Sequence, residues 1–196
     1  MDTASGMVAR DKIIEAATRL LSQPATAKFT YESLAQEAGV SRQTLHTQFP
    51  NRIDLLVGVA DLARDRYNVE GMASAVYDAE TGAHALIALV DLHVAFTPKV
   101  LMAMRAVELE RSDDPDAEKA FGKRSAGRAQ QIRLVVRRLQ AEQQLDPIWS
   151  VETAGDFITS LISATYTFEL LGLRGWTPRQ LRTRLLHVLE SALIRR

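Results

Sequence analysis

FTYESLAQEAGVSRQTLHTQFPNR, residues Phe29–Arg52, reads as two short amphipathic helices joined by a tight glycine bend. Thr30 stands where an N-cap belongs, since its hydroxyl can accept from the N–H groups that a helix start leaves unpaired. Tyr31, Leu34, Ala35 and Ala38 follow at the spacing that aligns one buried stripe. Gly39 supplies the positive-φ geometry that ends this helix, and Val40 packs beneath the bend. Ser41 is expected to cap the second helix, on which Leu45 and Phe49 share one face four residues apart. Arg42, Gln43, Thr44, His46 and Thr47 remain outward, each able to hydrogen-bond. A short helix with a polar, donor-rich exposed half is what base edges and phosphates require.

The flanks complete a unit. Upstream, Val8 to Leu21 places Ile13, Ile14, Ala17, Leu20 and Leu21 on one side of a helix. Downstream, Phe49-Pro50-Asn51 stops the second short helix, and Asn51 can cap another running from Arg52 to about Arg66. Three helices around one small core, the third presented outward, describe a DNA-reading helix-turn-helix module.

Arg10–Leu56 resembles the DNA-binding domain of the TetR family of bacterial transcriptional regulators. The resemblance rests on ARDKIIEAATRLLS, FTYESLAQEAGVS and RQTLHTQFPNRIDLL in family order, about a quarter of the chain. Members usually carry glycine where Gln43 stands, tyrosine at His46, an aromatic at Gln48 and lysine at Arg52. The resemblance implies a homodimeric, ligand-responsive regulator, most often a repressor on an inverted-repeat operator. Arg42, to guanine, and Gln43, to adenine, are the candidate base readers, with His46 a third. Thr30, Tyr31, Ser41, Thr44, Thr47 and Arg52 are the candidate phosphate contacts. The competing reading is an all-α small-molecule-binding or adaptor protein that uses the hairpin for protein contacts.

The chain has 196 residues, 24 Lys/Arg against 24 Asp/Glu, and no cysteine. No strand-like alternation of useful length occurs, so the expected class is all-α. The expected plan is a helix-turn-helix domain over 1–56 and a six-helix ligand-binding and dimerisation domain over 57–196, about nine helices. Residues 1–56 have almost no surplus of positive charge, so DNA affinity must come from local placement, as at Lys28, Arg42 and Arg52. Without cysteine there is neither a disulfide framework nor a thiolate metal site, which suits a cytoplasmic protein. The N-terminus reaches charged residues before any apolar run. The apolar windows 83–96 and 157–173 are interrupted by Asp91, His93, Thr159, Ser160 and Glu169, and read as core helices with no role in a membrane. His46, His84, His93 and His187 do not stand at metal-ligand spacing. Without a phosphate loop or nucleophile motif, neither catalytic residues, metal nor cofactor is expected.

Within the second domain, Asn68–Thr81 reads as a connection. A helix opens at Thr81 or Gly82 and ends near Phe96, and Thr97-Pro98 is expected to open another, to about Glu110. Asp114 and Pro115 start a long helix lasting to about Gln144, with Phe121, Ile132, Val135, Val136 and Leu139 on its inner side. Lys119, Lys123, Arg124, Arg128, Arg133, Arg137 and Arg138 give that helix a basic, solvated face. Ser150 caps a helix expected to reach Leu171, and Thr177-Pro178-Arg179-Gln180 is a capping box for a last one to Ile194.

The WSVETAGDFITSLISATYTFELLGLRGWTPRQLRTRLLHVLESALI segment also resembles TetR C-terminal domains, in which the last two long helices pair across a dimer. Leu181, Leu185, Val188, Leu189 and Ala192 are therefore the expected homodimer stripe. His93, Phe96, Met102, Met104, Phe121, Trp149, Phe157 and Tyr166 are candidate walls of a pocket for an apolar or amphipathic effector.

Overall fold

The computed structural model describes residues 3–21 and 30–195, with side chains from Val8 onward; Lys28 and Phe29 lie outside the described residues. Among these the chain is all-helical, and the one β-type pairing is an isolated antiparallel bridge between Leu145 and Ile194. The helices are α1 (Thr3–Leu21), α2 (Tyr31–Ala38), α3 (Arg42–Gln48), α4 (Arg52–Arg66), α5 (Val69–Tyr77), α6 (Gly82–Glu110), α7 (Pro115–Ala141), α8 (Val151–Leu161), α9 (Ala164–Thr167) with a π-helical continuation over Phe168–Leu173, and α10 (Pro178–Leu193). Packing divides the chain into two compact units, one of residues 1–63 with 102–121 and one of 64–101 with 122–196. The division therefore differs from the expected boundary at residue 56, because segments of α4, α6 and α7 pack with the N-terminal helices.

In the first unit, Ile13, Ile14, Ala16, Ala17 and Leu21 of α1 meet Leu34 and Ala35 of α2, Leu45 and Phe49, and Ile53, Leu55 and Leu56 of α4. Ala103, Val107 and Ala117 close the same core. Each fully buried leucine or phenylalanine here contributes about 2 kcal/mol of transfer free energy. The second unit's core unites Ala85, Leu86, Leu89 and Val90 of α6 with Ile132, Val135, Val136 and Leu139 of α7, Ala154 and Ile158 of α8, and Leu181, Leu185, Leu189 and Leu193 of α10. Helix α6 is long and apolar enough to cross a membrane by length and composition, and its Ala85, Leu86, Leu89 and Val90 are buried in a core of this fold.

Several expectations are corrected here. Residues 69–77 form α5, started by Asn68 in the left-handed region (φ 48°) with its side chain accepting from the Gly71 N–H. Thr97-Pro98 does not begin a helix; α6 runs through it. The Thr97 hydroxyl is buried and bonded to His93 Nδ1 at 2.8 Å, so it is not free to cap, and Pro98 stands inside the helix without an N–H to return to the preceding turn. The helix opened by Ser150 stops at Leu161, restarts behind a second serine cap at Ser163, and widens into the π segment.

The residues of the expected dimer stripe lie mostly within the chain's own core. Leu181, Leu185 and Leu189 are 0–2 % exposed in the single chain, leaving no area for a partner. Val188 alone of that set is substantially accessible, at 42 %, with Ala192 half-buried.

Candidate nucleic-acid interface

Local sequence sets both ends of the hairpin. Thr30 accepts from the Ser33 N–H at 3.1 Å while Ser33 Oγ accepts from the Thr30 N–H, a reciprocal capping box. Gly39 takes φ 65° and returns its N–H to α2. Ser41 Oγ then accepts from the Thr44 N–H at 3.0 Å and lies 2.8 Å from Thr44 Oγ1. With Leu45 and Phe49 fully buried, the rotation of α3 is fixed. Arg42, Gln43, His46 and Thr47, at positions one, two, five and six of the helix, share one exposed face. Thr44 is half-buried at its edge.

The far end of α3 is held by side chains from the other two helices. Arg10 of α1 donates from Nη1 to the Gln48 carbonyl at 3.1 Å, and its guanidinium lies 4.3 Å from the Phe49 ring centroid. A cation at a helix C-terminus meets both an orphan carbonyl and the negative end of the macrodipole. Tyr31 donates to the Phe49 carbonyl at 3.3 Å and stacks on His46, with centroids 4.8 Å apart and planes at 18°. Burial raises the Tyr31 phenol pKa, with Arg52 pulling it down and Asp54 adding to the rise.

These contacts refine the individual assignments. Tyr31 is a half-buried strut between α2 and α3, its hydroxyl committed within the fold. Arg52 donates from Nε to Glu110 at 3.0 Å, so a phosphate must compete with a carboxylate for it. Arg42 forms an ion pair with Glu32, two positions beyond the α2 cap, and both side chains are well exposed. The Thr47 hydroxyl donates to the Gln43 carbonyl at 2.9 Å. Arg10 was not legible as a functional residue, because its partner is a backbone carbonyl 38 residues away.

The eight expected pocket residues are divided between the two units. Met102, Met104 and Phe121 belong to the first unit; Met102 and Phe121 pack against its core. Phe121 also carries the Arg111 guanidinium 4.1 Å from its centroid. His93, Phe96, Trp149, Phe157 and Tyr166 belong to the second. There Trp149 stacks on Phe157 with centroids 5.1 Å apart and donates from Nε1 to the Ala192 carbonyl at 2.7 Å. His93 is buried between Thr97 (Nδ1, 2.8 Å) and Thr167 (Nε2, 3.0 Å). Thr167 donates its only proton to the Ser163 carbonyl at 2.8 Å, so Nε2 carries the ring proton and Nδ1 accepts from Thr97. Burial, and then the Arg128 guanidinium, lower the His93 pKa to about 3, so the ring is neutral. Both its nitrogens are spent inside the protein.

Residues 13–59 match the sequence signature of the bacterial regulatory proteins of the tetR family. No curated protein matches the chain. Among solved structures, a protein from Saccharomonospora viridis described as a transcriptional regulator, in complex with choline, is similar over 96 % of this chain and 98 % of its own, with 22 % identity and a TM-score of 0.78. FadR from Bacillus subtilis, in complex with stearoyl-CoA, is similar over 93 % and 98 %, with 17 % identity and a TM-score of 0.73. A TetR transcription regulator from Haloarcula marismortui is similar over 95 % and 98 %, with 18 % identity and a TM-score of 0.70. The helix-turn-helix segment thus carries the signature of the tetR-family regulatory proteins, and the all-helical fold is shared nearly end to end with these solved structures.

Proposed function

We propose that the protein is a dimeric transcriptional repressor that binds an inverted-repeat operator and is released from it by a small apolar or amphipathic effector. The observation that carries the reading is the division of α3. Leu45 and Phe49 anchor one side in the core, while Arg42, Gln43, His46 and Thr47 stand exposed on the other. An arginine can donate two bonds to guanine O6 and N7, and a glutamine amide can pair with adenine N6 and N7. Thr30, Ser41 and Thr44 at the helix starts are suited to phosphates, and Arg52 joins them only by leaving Glu110. Two copies are needed because one short helix reads too few base pairs; recognition helices of a dimer meet half-sites about 34–36 Å apart or a multiple of that.

An effector class is suggested by the similar folds solved with choline and with stearoyl-CoA. Phe96, Trp149, Phe157 and Tyr166 of the second unit are half-buried and retain area for an apolar ligand. Release is allosteric only if effector and DNA weaken each other's binding by the same factor. Such a regulator acts in the cytoplasm, with double-stranded DNA as its macromolecular partner.

Selection of genomic fragments followed by salt-dependent gel shift tests the reading. The wild type should enrich one inverted repeat. Arg42→Ala should cost roughly 1–3 kcal/mol on that repeat and relax discrimination at one base pair per half-site. Equal losses on every sequence would overturn the assignment of Arg42. Failure to enrich any sequence would overturn DNA reading altogether.

A further inference from the structure

The first unit meets DNA, on the reading above, with no surplus of positive charge to spend. Five of its arginines are tied to carboxylates: Arg19 to Glu37 at 2.9 Å, Arg52 to Glu110 at 3.0 Å, Arg105 to Glu108 at 3.7 Å, Arg111 to Glu118 at 2.8 Å, and Arg42 to Glu32. The last pair differs in where it lies. Arg42 is the first residue of α3 and a base reader; Glu32 is in the first turn of α2. The pair therefore bridges the two helix starts of the hairpin, with side chains 62 % and 72 % exposed. An exposed pair of this kind adds almost nothing to folding stability. A carboxylate beside the reading helix is costly for a protein that must approach phosphates, so its effect falls on binding.

We propose that Glu32 is a specificity-determining residue, holding the Arg42 guanidinium off the phosphate backbone and yielding it to a guanine edge. The inference rests on the DNA-binding reading given above. A guanidinium has five N–H donors in a rigid fork. On guanine, two of them meet O6 and N7, neutral acceptors, and another stays with Glu32. The carboxylate then orients the arginine without a second anion on the same guanidinium. On a phosphate the same guanidinium would bring two anions within a few ångströms of each other. It would then have to leave Glu32 unpaired or accept the repulsion. The arrangement penalises sequence-independent contacts more than the correct one, which is discrimination by a repulsive element. It also explains how a DNA reader manages with formal net charge zero: weak non-specific binding is part of its selectivity.

The test compares Glu32→Gln and Glu37→Gln with the wild type on two duplexes at about 0.15 M salt. One duplex is the sequence the wild type selects from a randomised pool; the other is a random-sequence duplex of equal length. Glu37→Gln removes the same charge from the same helix without touching Arg42. Thermal melting first establishes that both variants fold. Glu32→Gln should tighten the random duplex about tenfold and the selected duplex less than about threefold. Its remaining preference should weaken at the guanine position that Arg42→Ala also erases. Glu37→Gln should leave the ratio between the two duplexes unchanged. Equal gains on both duplexes for Glu32→Gln, no change on either, or an equal loss of ratio in both variants would overturn the proposal while leaving the DNA reading intact. A wild type that selects no sequence overturns that reading, and this inference with it.

Discussion

His93 shows how much one residue can constrain the second unit. Its ring is 5 % exposed, with both nitrogens held by threonine hydroxyls. Arg128, whose Nη1 donates to the Ile162 carbonyl at 2.9 Å, is the charged group that lowers its pKa beyond the effect of burial. The folded pKa is about 3, below an unfolded value of about 6.5. Between those values the unfolded chain takes up a proton that the folded chain refuses. His93 thus leaves stability undiminished above about pH 6.5 and reduces it as pH falls toward 3, by about 1.4 kcal/mol per pH unit. His93→Gln lacks this penalty but loses ideal partners for Thr97 and Thr167, costing about 1–3 kcal/mol near pH 7.5. Urea unfolding at pH 7.5 and 5 should therefore show the wild-type advantage shrinking by about 2 kcal/mol on acidification. Parallel stability curves would mean that His93 is accessible to protons in the folded protein.

At the scale of elements, the helix starts were legible and several helix interiors were not. Thr30, Ser41, Ser150 and Thr177 act as N-caps because an oxygen two bonds from the backbone finds its N–H within the same turn. Thr97-Pro98 carries the same signal but lies mid-helix, because His93 four residues earlier takes the hydroxyl. The restart at Ser163 was hidden in an unbroken apolar run, and α5 in a stretch whose glycine and small residues look like linker. Arg10 and the Glu32–Arg42 pair were unreadable for another reason: their partners come from other helices. Two glycines contrast local and tertiary demands. Gly39 has φ 65°, and a β-carbon added there would have nothing within 4 Å, so Gly39→Ala should cost only the left-handed backbone, about 1–2 kcal/mol. Gly82 lies where α6 begins against the end of α7; a Cβ there would sit 2.7 Å from the Leu139 nitrogen, backbone against backbone. Its N–H is also received by Glu142 at 2.8 Å. Gly82→Ala should therefore cost more, about 3 kcal/mol, although no turn signal marks it. Chemical denaturation ranks the two, and the reverse order would mean that the α6–α7 crossing can open without loss.

For the whole molecule, the question is which apolar surface a second copy would cover. The repeat of leucines along α10 suggests a stripe wider than one neighbour needs, but the chain itself consumes it. Leu181, Leu185 and Leu189 are buried in the same core cluster as Ile132, Val136 and Ile158. A leucine spacing cannot say whether its partner is intramolecular, because core and interface ask for the same side chains. Among the described residues, the large apolar side chains left exposed in this part of the chain are Ile148 at 81 %, Leu173 at 62 % and Val188 at 42 %. Dimerisation through this end of the chain must therefore use the face of α10 that turns away from its own core. Two substitutions on the same helix separate folding from assembly. Leu185→Ala leaves a cavity in the single-chain core and should lower unfolding stability by about 2–4 kcal/mol. Val188→Asp removes no core contact, so the folded monomer should stay within about 0.5 kcal/mol of wild type. Sedimentation equilibrium at micromolar concentration should show a dimer for wild type and a monomer for Val188→Asp, with DNA affinity falling as the second reading helix is lost. A Val188→Asp protein that remains dimeric would move the interface to another surface, and a monomeric wild type would leave the inverted-repeat operator without a partner of matching symmetry.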